Sequence, residues 1–469
     1  MQAAHEWPAE STPSFDIILM FRRLLLAAAL AGALPAVAQT PADVPRLTLA
    51  DALRRADRAA YANRGARAAA EAQRAAAQGA RRGVLPSVGA DASLLRTTDP
   101  INAFGFSLKQ RGVSMASFNP ATLNDPSAIS NYAAGLTLQQ PLLNGDAWAG
   151  LRAARAAAAA TDAQAAWARV TTRQNVVQAF YGAVVAREMA GTMAAAARAA
   201  REHVRAAELA AGNGLVTRSD ALLARVRAGE IEAQRLEAQS RAHLARAQLA
   251  LLLGAPGDTL FTLPDSLPLA PEHSVARAEV ASRADVRAAS LARDAARLDR
   301  VRAGATLLPR LNSFARYEWN SRARIAAGKP MWTVGAMLSW SPFGGGAELA
   351  DLQGATARLR GADVQAEGAR AAAQYERQES DEAWRVASAR AAIADTAVQQ
   401  SDEALRIVRR KYEGGIAAIS ELLDAAAANT QAKLMRSDAR YRLIAAAAAR
   451  LKAWGGDPAD LASLDTDNR

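Results

Sequence analysis

Two carboxylates, Glu421 and Asp424, are the side chains whose spacing could support chemistry; they lie in the segment GGIAAISELLDA. Residues three apart on a helix lie on one face, so the pair would present two negative charges to the same side. Such a pair can complement the positive end of a helix dipole. It can also form part of a charged ring that favours cations if several copies surround a narrow opening. The residues alone leave both interpretations open.

Other patterns that would support chemistry are weak. The chain has no cysteine, which excludes disulfides, thiolate nucleophiles and cysteine-bound metals. Its histidines, at positions 5, 203, 243 and 273, show no metal-ligand spacing. The glycine run 344–346 lacks the Gly-Lys-Ser/Thr continuation of a phosphate-binding loop, and no nucleophile has an evident base. We therefore predict that the protein is not an enzyme and has no metal or other cofactor.

The net charge of +11 is spread along the chain. Nucleic-acid binding requires a basic stripe with base-reading or aromatic partners, whereas these arginines are scattered through alanine-rich segments, so we predict no nucleic-acid partner. The acidic run Glu376, Glu379, Asp381 and Glu382 is predicted to be a solvent-exposed helix face.

The chain repeats itself at an offset of 201 residues. Gly214 and Asp220 in GNGLVTRSDALLA correspond to Gly415 and Glu421 in EGGIAAISELLDA. The same offset relates the proline of QQPLLNG to that of SWSPFGGG, and the glycine of LLLGAP to that of AWGGDP. Shared landmarks at one offset indicate duplication of a structural unit.

Each repeat is predicted to contain a helix, a strand pair, a very long helix and a shorter helix. Alternating residues predict strands near 87–95, 132–139, 311–319 and 332–340. The long helices, near 148–211 and 347–412, would each extend about 100 Å, and Gly214 and Gly415 would form the turns at their tips. The prolines expected to mark changes between helix and strand are Pro86, Pro141, Pro309 and Pro342.

The ends and the middle of the chain complete the predicted organisation. A charged segment, an apolar run and Ala36-Val37-Ala38 have the form of a signal peptide, with translation starting at Met20 rather than Met1. The predicted boundaries are 1–38 for the extension and signal peptide, 39–254 for the first repeat, 255–282 for an equatorial linker, 283–456 for the second repeat and 457–469 for the tail.

The strand lengths match those of tilted strands in a membrane, and residues 96–131 would form a long outer loop. Four strands in two hairpins leave open edges, and the backbone N–H and C=O groups of these edges find no hydrogen-bond partners in hydrocarbon. Several chains must therefore combine their strands. A soluble β-hairpin packed on helices is the alternative interpretation.

The mature chain resembles the TolC-like outer-membrane efflux proteins. The resemblance rests on QPLLNGD and SPFGGGA, on the tip motifs GLVTRSD and YEGGIAAISELLDA, and on FGFSLKQR and FNPATLNDP, which are similar to an outer loop of one branch. It implies a mainly helical homotrimer with a twelve-stranded β-barrel in the outer membrane, four strands from each chain, on an α-helical tunnel in the periplasm.

The implied function is that of a passive exit duct of a tripartite efflux or type I secretion system. Its partners would be a periplasmic adaptor, an inner-membrane pump and outer-membrane lipid. The rival interpretations are a periplasmic coiled-coil adaptor and a scaffold without a pore. An adaptor should carry a lipoyl-like β segment around a single helical hairpin and should not duplicate strand pairs.

The resemblance also implies roles for residues at the tips. Glu421 and Asp424 match carboxylates that face the lumen at the periplasmic entrance, where they would act as a selectivity ring. Asp220 and Tyr412 match positions whose contacts latch the closed entrance. The family pattern has an arginine where this chain has Ala417, which implies a looser closed state.

Overall fold

The computed structural model describes residues 46–214, 216–256, 261–268 and 279–465. The segment Arg46–Arg469 forms one compact unit. The predicted extension and signal peptide, 1–38, lie outside the described residues, as do parts of the predicted linker and tail.

The first half of the chain contains the predicted strand pair, long helix and shorter helix; its first helix is divided in two at Ala60, and two short helices lie between the strands. In chain order, its elements are α1 (Leu49–Ala59), α2 (Tyr61–Gly79), β1 (Ser87–Thr97), α3 (Pro100–Lys109), α4 (Pro120–Asn124), β2 (Ile129–Leu143), α5 (Gly145–Gly212) and α6 (Arg218–Leu252).

The second half repeats this order without helices between its strands. Its elements are α7 (Ala284–Ala305), β3 (Arg310–Ser321), β4 (Lys329–Ser339), α8 (Ala347–Glu413) and α9 (Ile419–Ala453). Short 3₁₀ turns supplement both halves; one of them, Pro458–Asp465, follows α9. The predicted duplication is confirmed.

The prolines stand close to the changes between helix and strand, with one exception. Pro86 and Pro309 directly precede β1 and β3, and Pro342 lies between β4 and α8. Pro141 differs from the prediction because it lies inside β2, opposite Asn312, where the register with β3 shifts before Leu143. A bulge tolerates a residue that has no N–H to donate, so the strand continues through Pro141.

The four strands form one antiparallel sheet in the order β1-β2-β3-β4. The two repeats meet at the β2–β3 pair, in which Leu136 lies opposite Tyr317. In the described part of the chain, β1 and β4 each have a strand neighbour on one side only, so they are the edges of the sheet.

The long helices are the framework of the rest of the unit. α5 has 68 residues and α8 has 67, which corresponds to about 100 Å each. α5 packs against α2, α6, α7 and α9, while α8 packs against α7 and α9. Within the described residues, none of the helices offers an apolar stretch that could cross a bilayer.

The main hydrophobic core lies partway along α5, where the helix carries its largest buried side chains. Phe180 and Tyr181 pack edge to face, with ring centroids 5.2 Å apart. They are joined by apolar residues of α1, α6 and α9, and by Phe261 and Leu267 of the predicted linker. Leu461 of the C-terminal 3₁₀ turn is fully buried in the same cluster. The described linker and tail segments therefore help to hold the helices together at this position along α5.

A buried arginine joins α7 to its neighbours at the C-terminal end of α9. The Arg283 side chain is 1% exposed; it donates to Glu376 at 2.6 Å, to Asp285 at 2.8 Å and to the Ala453 carbonyl at 3.0 Å. Its guanidinium carbon lies 4.7 Å from the centroid of the Trp167 ring. Burial opposes the charge, but the hydrogen bonds to both carboxylates hold the pKa of Arg283 above its ordinary value.

The acidic run on α8 is therefore only partly a solvent-exposed face. Glu376 also pairs with Lys452 at 3.2 Å. Asp381 accepts from Arg450 at 2.7 Å and from the Trp454 indole at 3.2 Å. The prediction of exposure used only the spacing along α8. It was wrong for Glu376 and Asp381 because their partners come from outside this helix.

Candidate functional site

The tips of the two long hairpins pack together. A small apolar cluster joins Ala207 of α5 and Ala221 and Ala224 of α6 to Ile419 and Leu423 of α9. Both α5 and α8 end in a turn containing a glycine with positive φ, 76° at Gly214 and 73° at Gly415. The two predicted tip turns thus lie at one end of the molecule and form one site.

The first tip uses its acidic residue to begin a helix. Thr217 and Asp220 form a capping box at the start of α6. The Asp220 backbone N–H donates to Thr217 Oγ1 at 3.2 Å, and the Thr217 N–H donates to Asp220 Oδ2 at 3.1 Å. This reciprocal arrangement satisfies two backbone donors that a helix start leaves free. Asp220 therefore has a structural role within its own chain.

The second tip has lost this cap. Ala418 stands where the first repeat has Thr217, and it makes no side-chain hydrogen bond at the start of α9. Glu421, the counterpart of Asp220, lies in the first turn of α9 and is exposed. It makes no hydrogen bond or ion pair within the described part of the chain. The divergence between the repeats leaves this carboxylate free.

Asp424 lies one turn further along α9 and is also exposed, whereas Leu422 and Leu423 between the two carboxylates are buried. Its negative charge acts on Arg227 of α6. The Arg227 guanidinium donates to Glu230 at 2.9 Å, and this bond, followed by the charges of Glu230 and Asp424, raises the pKa of Arg227. Arg227 and Asp424 therefore interact through their charges without forming an ion pair in the described residues.

The Tyr412 side chain is half-buried at the end of α8 and packs against the apolar cluster of the tips. Within the described residues, no hydrogen bond or ion pair joins Tyr412 to Asp220. The two predicted latch residues are thus held within one chain by different interactions: one by packing and the other by capping.

A cleft of about 740 Å³ opens between the two hairpins above their tips. Alanines of α5 and α9, including Ala196, Ala199 and Ala427, form much of its lining, and Arg409 and Asp424 also line it. His203 lies in this cleft, where burial and then the charge of Arg409 lower its pKa. The structure describes no group of three or more His, Cys, Asp or Glu side chains that could hold a metal ion.

The sheet at the opposite end of the hairpins has one apolar face. A row of opposed residues across the four strands consists of Ala90, Leu136, Tyr317 and Trp332. The most exposed large apolar side chains of this face are Val88 at 74%, Trp332 at 73%, Val334 at 67% and Leu338 at 66%. So large an apolar surface indicates contact with lipid or with another protein.

The other face of the sheet is polar. Arg316 of β3 donates to Asp91 of β1 at 2.9 Å, to Thr137 of β2 at 3.1 Å and to Glu318 at 3.0 Å. Gly135 of β2 leaves room for the Arg316 side chain to cross β2 to Asp91, since a Cβ at Gly135 would lie only 2.8 Å from an Arg316 nitrogen. Alternation of apolar and polar faces along each strand is the pattern of a membrane barrel with a water-filled interior.

Sequence reasoning missed Arg227 and the difference between the two helix starts. The signal for the second was present, because Thr217-Arg-Ser-Asp220 has the spacing of a capping box and Ala418-Ile-Ser-Glu421 lacks its first member. No local signal identifies Arg227, whose charge acts on Asp424 from a different helix.

The family model described as "Outer membrane efflux protein" matches residues 62–255 and 276–456. The alkaline protease secretion protein AprF of Pseudomonas aeruginosa is 29% identical over 239 residues. That match covers 49% of this chain and 50% of AprF, so it spans about half the length of this curated relative.

Solved structures of outer-membrane proteins share the fold. VceC of Vibrio cholerae is 22% identical with a TM-score of 0.73, over 87% of this chain and 96% of VceC. The CmeC channel of Campylobacter jejuni is 17% identical with a TM-score of 0.76, over 97% of this chain and 94% of CmeC. These comparisons and the fold agree: the chain belongs to the outer membrane efflux protein family, whose members are non-enzymatic outer-membrane channels with a helical tunnel in the periplasm.

Proposed function

We propose that this chain is the exit duct of a tripartite efflux or type I secretion system, and that it passively conducts cargo from the periplasm to the exterior. The observation that carries the proposal is the sheet with one apolar and one polar face, mounted on hairpins of about 100 Å whose tips converge. A sheet with these two faces is not expected in a periplasmic adaptor or in a scaffold without a pore. The duplicated strand pairs also favour the duct.

The functional form would be a homotrimer. The edges β1 and β4 carry backbone groups that hydrocarbon cannot satisfy, and an antiparallel order allows β4 of one copy to pair with β1 of the next. Three copies would close a barrel of twelve strands in the outer membrane. A mass measurement in detergent should give three chains per particle, and a monomer that conducts ions across a bilayer would overturn this proposal.

The partners would be a periplasmic adaptor and an inner-membrane pump that act at the helical tips. The cleft between the hairpins supports this, because small alanine side chains leave room for a helix of another protein and Arg227, Arg409 and Asp424 supply charged groups. The proposed boundaries remain 39–254 and 283–456 for the repeats, with 255–282 as the linker around the tunnel and 457–469 as the tail.

Glu421 and Asp424 would form a ring of six carboxylates at the periplasmic entrance. Both are exposed on the face of α9 opposite to its buried leucines, and Glu421 lacks a partner within the described part of its own chain. A charged ring at a constriction favours ions of opposite sign. Because the charge of Arg227 acts on Asp424, we expect Glu421 to supply most of the cation preference.

Reversal potentials in planar bilayers test this ring. Glu421→Gln should weaken the preference for cations more than Asp424→Asn does, and the double variant should also relieve block by trivalent cations. The matched control is Glu237→Gln, which removes a carboxylate of α6 that pairs with Arg241 at 3.3 Å, away from the tips. Unchanged reversal potentials in the double variant would show that these carboxylates do not line the pore.

Asp220 and Tyr412 would latch the closed entrance through contacts between neighbouring copies. Replacing Tyr412 with Ala should raise the open fraction of single channels. Asp220→Asn should do so as well, and because its amide oxygen can still accept from the Thr217 N–H, it removes the charge while keeping the helix cap. An unchanged open fraction in the Tyr412 variant would remove it from the latch.

A further inference from the structure

We propose that residues 99–124, here called the outer lid, fold across the polar face of the barrel sheet and limit the size of what passes the outer mouth. The proposal rests on the proposed function, because the polar face lines a passage only in an assembled barrel. Instead of the outer loop expected from the sequence, this segment forms α3, a 3₁₀ turn at Met115–Phe118 and α4. The Phe104 and Phe118 rings, 6.0 Å apart, hold these pieces together.

A buried amide chain attaches the end of α3 to the sheet. Gln110 is 9% exposed, Asn131 of β2 is 2% and Asn320 of β3 is 1%. Gln110 Nε2 donates to Asn131 Oδ1 at 2.9 Å, and Asn131 Nδ2 donates to Asn320 Oδ1 at 2.7 Å. Arg322 donates to Gln110 Oε1 at 3.1 Å. Buried and satisfied amides fix one arrangement, since an unpaired member would be costly.

An ion pair identifies the side of the sheet on which α3 lies. Lys109 Nζ lies 2.9 Å from Glu318 Oε1, and Glu318 shares its face with Arg316 and Asn320 by strand alternation. Asn131 lies on the same face, because side chains two residues apart on a strand share a face and Ala133 is opposite Asn320. The lid is therefore attached to the polar face and not to the apolar face that lipid would cover.

The attachment also spans the width of the second strand pair. Arg111, which has a left-handed φ of 54°, donates to the Pro330 carbonyl of β4 at 3.3 Å. The lid of one chain thus contacts β2, β3 and β4 at the end of the sheet remote from the helices. Three copies would crowd the outer mouth, and the charge of Lys109 would lie beside the exit path. Lys109 is 46% exposed, so its ion pair with Glu318 is the part of the attachment that solvent screens most.

Two groups on the polar face make a matched comparison possible. Glu318 and Asp91 are both carboxylates that pair with Arg316, at 3.0 and 2.9 Å, but Glu318 also pairs with Lys109 of the lid and accepts from Asn320 of the amide chain at 2.9 Å. Glu318→Gln should loosen the lid, because Gln removes the charge that holds Lys109 while keeping an oxygen that can accept from Asn320, whereas Asp91→Asn should leave the lid in place. Lys109→Gln should act like Glu318→Gln because it removes the other half of the same ion pair.

The absence of cysteine in the natural chain allows the passage to be probed with single cysteines. Ser93→Cys places a thiol on the polar face, in the row of Ala133 and Asn320, and Ala92→Cys places one on the apolar face. Intact cells are treated with a small charged maleimide or with a maleimide on a polymer of several kilodaltons, and the ratio of the two labelling rates is measured. Heat-modifiable trimer mobility verifies assembly of every variant.

In the parent carrying Ser93→Cys, the small reagent should react much faster than the bulky one. Glu318→Gln and Lys109→Gln should raise the relative rate of the bulky reagent about fivefold, the effect expected for a partly exposed ion pair, and Asp91→Asn should not. Equal rates for both reagents in the parent, or equal ratios in Glu318→Gln and Asp91→Asn, would overturn the lid. A cysteine at Ser93 that rejects even the small reagent, whatever the lid variant, would instead contradict the barrel of the proposed function.

Discussion

Replacement of Asp57 with Asn tests the electrostatic contact between α1 and the long helix α5. The Asp57 carboxylate is 18% exposed and accepts hydrogen bonds from Arg169 at 2.8 Å and from Arg173 at 2.5 Å. Arg173 also pairs with Asp457 beyond α9. Burial alone would raise the pKa of Asp57, but the bonds from Arg173 and Arg169 outweigh it and lower the pKa from 3.8 to about 2.

The magnitude follows from this shift. A pKa lowered by nearly two units corresponds to about 2 kcal/mol of folding stability from the ionised group. Because the folded pKa is the lower one, this contribution is complete above the unfolded value near 4 and is lost as the pH falls towards 2. Asp57→Asn keeps the shape but not the charge, so it should destabilise the protein by about 2 kcal/mol at pH 7 and by much less at pH 2.5.

The assay is urea unfolding of the detergent-purified protein, followed by circular dichroism from pH 7 to pH 2.5. The control Asp363→Asn removes an exposed carboxylate of α8 and should change the midpoint little at any pH. A loss below about 0.5 kcal/mol at pH 7, or one that persists undiminished at pH 2.5, would refute the reasoning because the ion pairs would then not contribute as the contacts indicate.

Three further predictions concern packing, turns and the entrance. Arg283→Met should cost about 3 kcal/mol, since it leaves the partly buried Glu376 and Asp285 without their shared cation, while exposed Arg287→Met, one turn later, should have little effect in the same urea assay. Gly254→Ala should lower the melting temperature far more than Gly214→Ala: both have positive φ, but a Cβ at Gly254 would clash with the Ala59 carbonyl oxygen and one at Gly214 meets nothing. Ala418→Thr should complete a capping box with Glu421, stabilise α9 by about 1 kcal/mol and reduce cation preference; unchanged reversal potentials would show that Glu421 remains free.

Much of the fold could be predicted because its patterns are local. Alternation along the strands and helix length without proline lie within single segments, and the repeat offset identified the equivalent tips. The outer lid escaped prediction because Asn, Pro and Ser suggested an open loop, yet Asp99 caps α3 with Pro100 in its first turn and the sheet fixes Gln110. Pro141 was expected to mark a change between strand and helix. The bulge in β2 instead accommodates a residue that has no N–H to donate, so the strand continues.

The candidate site was predictable only in part. Glu421 and Asp424 are exposed near the start of α9, and their role at the entrance stays a prediction; the charges around them depend on other segments. The charge of Arg227 acts on Asp424 from α6, and Arg283 pairs with Glu376 from the start of α7. Contacts between helices that are distant in sequence follow no spacing rule, so a single chain read alone cannot reveal them.

The open edges of the sheet have a genetic consequence. If the barrel closes only when β4 of each copy meets β1 of the next, a subunit with a damaged edge impairs every assembly that it enters. When damaged and normal copies are made in equal amounts and mix at random, only about one eighth of trimers contain normal copies alone. Mutations that damage the edges should therefore behave as dominant, whereas mutations that prevent a chain from folding at all should be recessive, because such a chain never joins an assembly.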